Sequence, residues 1–283
     1  MWVTMALLSA LFAGITAILS KMGVRHTDST VATAIRTTVV LAFAWLIVGV
    51  QGLQTQMGAI TPRSYGFLAL SGLCTGASWL CYFHALKLGT VNQVTPVDKS
   101  STVLTMLLAW LVLGEPVTWL KGIAMAARMG GTLLMIDRRA SARETGGRGW
   151  LIYAALSAVF AALTSILAKV GITDVPSDLG TALRTAVVVP MAWGMVLVTG
   201  RKVRPVERRD LRCILLSGVA TGLSWLCYYR ALQQGPAGVV APLDKLSIVV
   251  TIAFSRVVLG ERLSRRALCG FALVLAGTAL LLI

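Results

Sequence analysis

Apolar residues run in stretches of about 20 along the whole chain, separated by short polar or basic connections. Each stretch is long enough to cross a hydrocarbon core of roughly 30 Å at about 1.5 Å per helical residue. The pattern predicts ten spans, at about 2–22, 30–50, 65–86, 91–113, 117–136, 149–170, 178–198, 210–232, 238–258 and 265–283. They nearly exhaust the 283 residues and leave no room for a soluble domain. The first stretch lacks the basic start of a signal peptide and has a copy at Leu156–Lys169, so it is expected to stay in the mature protein.

The chain also repeats itself. Leu8–Lys21 (LSALFAGITAILSK) matches Leu156–Lys169 (LSAVFAALTSILAK), and Thr33–Thr37 (TAIRT) matches Thr181–Thr185 (TALRT), at an offset of 148 residues. Further on, Ser71–Gly89 (SGLCTGASWLCYFHALKLG) matches Ser217–Gly235 (SGVATGLSWLCYYRALQQG), and Pro96–Val103 (PVDKSSTV) matches Pro242–Val249 (PLDKLSIV), at an offset of 146. The predicted organisation is a first repeat at 1–137, a basic connector at 138–148 and a second repeat at 149–283. Five is an odd number of crossings, so the second repeat enters the membrane from the opposite side. The expected fold is an all-α membrane protein of ten transmembrane helices, built as two inverted five-helix repeats.

The charges agree with inversion. The connection after the second span carries only Arg63, whereas its counterpart carries Arg201, Lys202, Arg204, Arg208, Arg209 and Arg212. The connector adds Arg138, Arg139, Arg143 and Arg148, and Arg262, Arg265 and Arg266 follow the ninth span, against Lys121 after the fourth. All the rich loops fall on one face, which the positive-inside rule makes cytoplasmic, with both termini outside. The formal net charge of +15 is thus assigned to membrane orientation, and no nucleic-acid partner is expected. With 57% apolar and 13% charged residues, against roughly a quarter charged in soluble proteins, a water-soluble globule is excluded.

These segments resemble the EamA family of the drug/metabolite transporter superfamily, which has two repeats of about 140 residues and an LGE tripeptide after the fourth helix of each. Here the tripeptides are Leu113–Glu115 and Leu259–Glu261. The TAxRT, TGxSWLCY and PxDK segments look most like a branch that includes single-repeat proteins thought to pair as dimers. The resemblance implies a ten-helix bundle with a central cavity between the halves and alternating access, serving metabolites such as amino acids, sugars or amphiphilic compounds. Many members are described with cytoplasmic termini, and the charges here argue the reverse.

Ionisable side chains inside a span cost several kcal/mol unless paired or hydrated, so each is a candidate for function. Arg36 and Arg184 recur at equivalent positions, to bind a substrate carboxylate or phosphate or to form a structural ion pair. Asp98-Lys99 and Asp244-Lys245 each follow a proline, where a helix can break and a transporter can build a site. Each Asp is a candidate for proton coupling, or else caps its helix or pairs with an arginine. Trp79 and Tyr82, with Trp225 and Tyr228, lie on one face of each third helix, to wall a cavity or simply to pack. Gly72 with Gly76, and Gly218 with Gly222, would let another helix approach the same helices closely. His84 and Arg230 are equivalent in position and different in chemistry, and Arg128 has only Val274 opposite it. A lone arginine at that depth needs a partner, with Asp98 or an anionic substrate as candidates.

The function expected is a secondary transporter of a small polar or amphiphilic metabolite, working by alternating access, with proton coupling open. A lipid-linked-sugar flippase or channel-like pore is the alternative. The expected partners are the metabolite, protons and the lipid bilayer, and two fused halves make a monomer sufficient. The chain has two histidines, His26 and His84, and no HExxH, DDxxD, GxSxG or GxxxxGK[ST], so neither catalysis, a metal, a cofactor nor direct ATP drive is expected. The five cysteines show no metal-ligand spacing. Arginine greatly outnumbers lysine and no eukaryotic targeting segment is present, which points to a bacterial cytoplasmic (inner) membrane.

Overall fold

The computed structural model describes residues 1–24, 27–88, 94, 97–98, 100–116, 118–134, 149–201, 203, 205–251 and 265–281. The connector 138–148, Lys99, Glu261 and His26 lie outside the described residues. Among the described residues all regular structure is helical. The first half holds α1 (Trp2–Gly23), α2 (Ser29–Val50), a 3-10 segment (Leu53–Ala59), α3 (Pro62–Leu88), α4 (Ser101–Leu113) and α5 (Trp119–Leu134). The second holds α6 (Gly149–Gly171), α7 (Ser177–Val198), α8 (Arg208–Gln234), α9 (Ala237–Asp244) and α10 (Arg265–Leu280).

Six of these helices, α1, α2, α3, α6, α7 and α8, are long and apolar enough to cross a membrane. α4 and the Leu268–Leu280 part of α10 are apolar but shorter. Ten full-length spans are therefore more than the described residues show, and in the ninth stretch the helix is interrupted. α9 stops at Asp244, Lys245 and Leu246 form a turn, and helix resumes at 247. Pro242 has no N–H to continue the ladder. Past Asp244 the turn is closed by tighter i to i+3 bonds, Lys245 N–H to the Pro242 carbonyl at 3.2 Å and Leu246 N–H to the Leu243 carbonyl at 2.9 Å.

The helix packing obeys a two-fold. α1 packs on α8 as α3 packs on α6, and α2 lies on α8 as α3 lies on α7. α4 meets α6 as α9 meets α1, while α2 with α7 and α5 with α10 pair across the axis. Exchanging the halves maps each of these contacts onto its counterpart. α2 and α7 run antiparallel, since Asp28 caps the start of α2 and also pairs, at 3.3 Å, with Arg201 beyond the end of α7. Trp2 at the start of α1 lies against Gly235 at the end of α8, which defines the opposite, terminal face of the bundle.

The hydrophobic effect does not sort residues in such a bundle, because lipid is as apolar as leucine; close packing of small residues does. Many large apolar side chains, among them Leu46, Trp110, Leu111, Ile152 and Leu216, point outward. The seams are made by the paired glycines. A Cβ on Gly72 would stand 2.8 Å from the Arg184 carbonyl oxygen, and one on Gly76 would stand 2.6 Å from Met191 Cβ. The counterparts Gly218 and Gly222 receive Val39 and Phe43 of α2 in the same way. Each GxxxG thus admits the arginine-bearing helix of the other half.

Candidate functional site

A cavity of about 270 Å³ opens between the halves, lined by α1, α3, α4, α6, α7, α8 and α9. A second compartment of about 340 Å³ adjoins it and shares Ser78, Trp79, Ser101, Ala161 and Lys245 with it. Arg184, Trp225, Tyr228, Asp244 and Lys245 line the first; Tyr82 and Asp98 line the second. Trp79 borders both.

Arg184 is the largest of the fully buried side chains, 1% exposed. Its Nη2 donates to Thr75 Oγ1 at 2.5 Å and its Nε to Ser71 Oγ at 3.3 Å, both hydroxyls of α3 in the other half. The guanidinium also sits over two rings of α8, 5.2 Å from the Trp225 centroid and 4.7 Å from that of Tyr229. Both contacts favour the cation. No carboxylate among the described residues lies within ion-pair distance of it, and its buried Nη1 has no hydrogen-bond partner among them.

Arg36 is placed differently. It is half-buried, donates to Ser20 Oγ at 2.6 Å and Thr33 Oγ1 at 3.4 Å, and lines a separate cavity of about 250 Å³ with Lys21, near the start of α2.

The two aspartates share one arrangement. Ser157 of α6 donates to Asp98 Oδ1 at 2.8 Å, and Ser9 of α1 donates to Asp244 Oδ1 at 2.6 Å. Behind each serine stands another, Ser78 at 3.3 Å from Ser157 and Ser224 at 3.2 Å from Ser9, each also donating to a backbone carbonyl of the opposite half at 3.0 Å. Each Asp is therefore held by a serine of the other repeat and not by Arg36 or Arg184. Lys245 Nζ lies 3.9 Å from Asp244 Oδ2.

Arg128 lies outside the lining of both central compartments. It donates to Thr278 Oγ1 of α10, and from Nη2 to the Pro242 carbonyl at 2.6 Å, so its partners are a hydroxyl and a backbone oxygen rather than Asp98. A carbonyl beside the break in α9 is thereby satisfied by a cation from α5. His84 is exposed and stacks at 4.2 Å on Tyr153, away from the cavities.

A further cluster closes the terminal face. Glu115, just past the left-handed Gly114 (φ +67°), accepts the N–H groups of Ala237 and Gly238 at 2.6 and 2.9 Å, capping α9 of the other half. Lys169 Nζ pairs with it at 3.0 Å and also donates to the Gly235 carbonyl at 2.6 Å. Sequence reasoning did not reach this clamp or the serine and threonine hydroxyls. Their trace was Ser71, Thr75 and Ser78 at i, i+4 and i+7, recurring as Ser217, Thr221 and Ser224.

Comparison with known proteins now bears on this architecture. The model of the EamA-like transporter family matches residues 1–137 and again 148–283, and the chain belongs to that family. An uncharacterised transporter from the cobO 3' region of a Sinorhizobium species is 46% identical over 136 residues, which are 47% of this chain and 96% of that protein. A probable 4-amino-4-deoxy-L-arabinose-phosphoundecaprenol flippase subunit ArnE of Pseudomonas aeruginosa is 38% identical over 66 residues, 23% of this chain and 57% of that one. A solved crystal structure superposes with a TM-score of 0.81 over 98% of this chain and 95% of its own, at 18% identity, and so shares the fold. The protein is a multi-pass membrane protein of a transporter family.

Proposed function

We propose that this protein is a secondary transporter that moves a small polar or amphiphilic metabolite across a bacterial cytoplasmic membrane by alternating access, without catalysis. The observation that carries this reading is the unequal state of equivalent groups. Arg184 is locked onto the hydroxyls of α3 above the central cavity, while Arg36 rests on Ser20 beside a separate cavity at the other end. In an inverted repeat, exchanging the two conformations converts a cavity facing one side into one facing the other. All ten helical segments then belong to the membrane domain, with the basic face cytoplasmic.

Reconstitution tests the reading. Proteoliposomes loaded with radiolabelled amino acids, amines, organic acids or sugars are expected to show counterflow of one class, saturable and absent without protein. Failure of every soluble class, together with protein-dependent flipping of a polyprenyl-phosphate sugar, would replace it with the flippase reading that the ArnE likeness suggests. Coupling is read in the same vesicles. Asp98→Asn or Asp244→Asn is expected to abolish accumulation driven by an imposed pH gradient while leaving counterflow intact. If both variants still accumulate solute, protons do not enter through these carboxylates.

A further inference from the structure

We infer that the central cavity takes a small monocarboxylate with an apolar or aromatic body, and that Arg184 receives its carboxylate; this rests on the transport reading above. A permanently charged guanidinium that is 1% exposed has lost its hydration, and hydroxyls and ring faces offset only part of that loss. No protein carboxylate pairs with it among the described residues, and Nη1 is left without an acceptor. A cation built into a cavity wall with one hydrogen bond outstanding is completed by an anion that comes and goes.

The charges of the described lining residues favour a monoanion. Arg184 and Lys245 contribute two positive charges to the cavity, and Asp244 contributes one negative charge already engaged by Ser9 and facing Lys245. Among the described residues of this compartment one positive charge is left over, which a carboxylate balances and a phosphate monoester, near −2, would overbalance; Asp98, engaged by Ser157, belongs to the adjoining compartment. A carboxylate is also planar, matching the guanidinium fork. The remaining walls carry the rings of Trp79, Trp225, Tyr228 and Tyr229, which suit an apolar or aromatic face of the solute, beside serine and threonine hydroxyls of α3, α4, α6 and α8. The cavity volume of about 270 Å³ lies just below the range for small-molecule sites, and with the adjoining compartment of about 340 Å³ it suits a small solute on the scale of an amino acid.

The same geometry explains why Arg36, identical in sequence context, is not the site in this state. Its two hydroxyl partners lie on its own half, and its cavity has no aromatic ring among the described residues of its lining and carries Lys21. The Ser217 and Thr221 hydroxyls donate to backbone carbonyls as their counterparts Ser71 and Thr75 do, but Arg36 donates to Ser20 and Thr33 and not to them.

The test uses the full chain in detergent, with benzoate, benzamide, phenylalanine and inorganic phosphate as probes, and reads dissociation constants by calorimetry. Benzoate is expected to bind the unaltered protein at least about tenfold more tightly than its neutral isostere benzamide, as a charge-assisted hydrogen bond requires. Arg184→Met is expected to erase that difference and Arg36→Met to keep it. Equal binding of benzoate and benzamide, or preference for phosphate, overturns the proposal. So does retention of the difference in Arg184→Met. Where Arg184→Met does not fold, the benzoate-to-benzamide ratio of the unaltered protein decides alone. Phenylalanine separates a site that tolerates an ammonium from one that rejects it, and binding tighter than benzoate would overturn the monoanion. If benzoate binds and no carboxylate is transported in proteoliposomes, the site stands and the transport reading falls. If a neutral or cationic solute is transported and benzoate does not bind, the reverse holds.

Discussion

Arg36 and Arg184 stand at the same point of two copies of one sequence, TAIRT and TALRT, and the structure treats them as different residues. Arg184 crosses to the hydroxyls of the other half, lies on two aromatic rings and is buried. Arg36 stays on its own half and is half-buried. Two kinds of difference are superposed here. One is conformational: the hydroxyls of Ser217 and Thr221 remain available to Arg36 in principle, so an exchanged state can be written for it. The other is covalent: Ser20, the resting partner of Arg36, corresponds to Ala168, and Tyr229 corresponds to Phe83. Arg184 therefore keeps only the counterpart of Thr33, Thr181, and lacks the counterpart of Ser20 to fall back on when it leaves Thr75. The repeat supplies the two-state geometry, and its divergence decides which arginine meets the solute.

The sharpest way to break this comparison is to remove each arginine in turn and separate binding from turnover. Arg184→Met is expected to cut counterflow by at least about tenfold through loss of affinity. Arg36→Met is expected to leave equilibrium binding unchanged and to slow exchange by hindering the other state. Equal losses of affinity in both variants would show that the two arginines are interchangeable.

A smaller effect is expected at the clamp on the terminal face. Glu115→Gln removes the ion pair with Lys169 and weakens the cap on α9, in a site where the two side chains are 14% and 20% exposed. A stability loss of about 1–3 kcal/mol follows from a weakened cap and a half-buried cation left with only the Gly235 carbonyl, after discounting for that exposure. Thermal unfolding in detergent measures it. A Ser165→Cys probe in a cysteine-free background should also label faster from the terminal face in Glu115→Gln, because the clamp joins α4 and α6 to α9. Unchanged labelling would mean that the clamp holds structure without gating access.

The glycine seams sharpen the comparison further. Gly72→Ala places a methyl 2.8 Å from the Arg184 carbonyl oxygen, and Gly218→Ala places one 2.6 Å from Val39 Cβ and 3.2 Å from the Arg36 carbonyl oxygen. Overpacking of this kind costs about 1–3 kcal/mol in either seam. Only Gly72→Ala is expected to lower benzoate affinity as well, because the atom it displaces belongs to the residue that binds. Denaturation midpoints and calorimetry on the pair separate the two effects.

Much of this was legible in the sequence for a physical reason: spans and repeats are written in hydrophobicity and identity, which survive without knowledge of packing. The TAxRT arginines, the PxDK aspartates and the GxxxG seams all stand out as charged or small residues in apolar surroundings. What the sequence hid were relations across halves. Ser9 and Ser157 look like ordinary small residues of a membrane helix until α1 and α6 bring them to Asp244 and Asp98. Glu115 reads only as the end of an LGE tripeptide until α9 arrives with two free N–H groups. Arg128 announces that it needs a partner, but the acceptor is a backbone carbonyl beside Pro242, which no side-chain pattern records.

The smallest expected effect concerns those serines, and it distinguishes two roles for the aspartates. Ser9→Ala and Ser157→Ala each remove one donor to a carboxylate, at 2.6 and 2.8 Å, and leave a methyl in its place. The cost of one such bond is about 1 kcal/mol. If the aspartates are structural, holding one repeat to the other through these hydroxyls, the serine variants should reproduce the transport loss of Asp98→Asn and Asp244→Asn, since both break the same link. If an aspartate carries the coupling proton, the serine variants should still accumulate solute in response to a pH gradient, because the carboxyl that gains and loses the proton is intact. The asparagine variant at that position alone should uncouple, because its amide cannot carry the charge change. Ser9 and Asp244 line or adjoin the cavity that holds Arg184, whereas Ser157 and Asp98 meet in the adjoining compartment. A difference between the two serine variants would therefore show which compartment the proton uses.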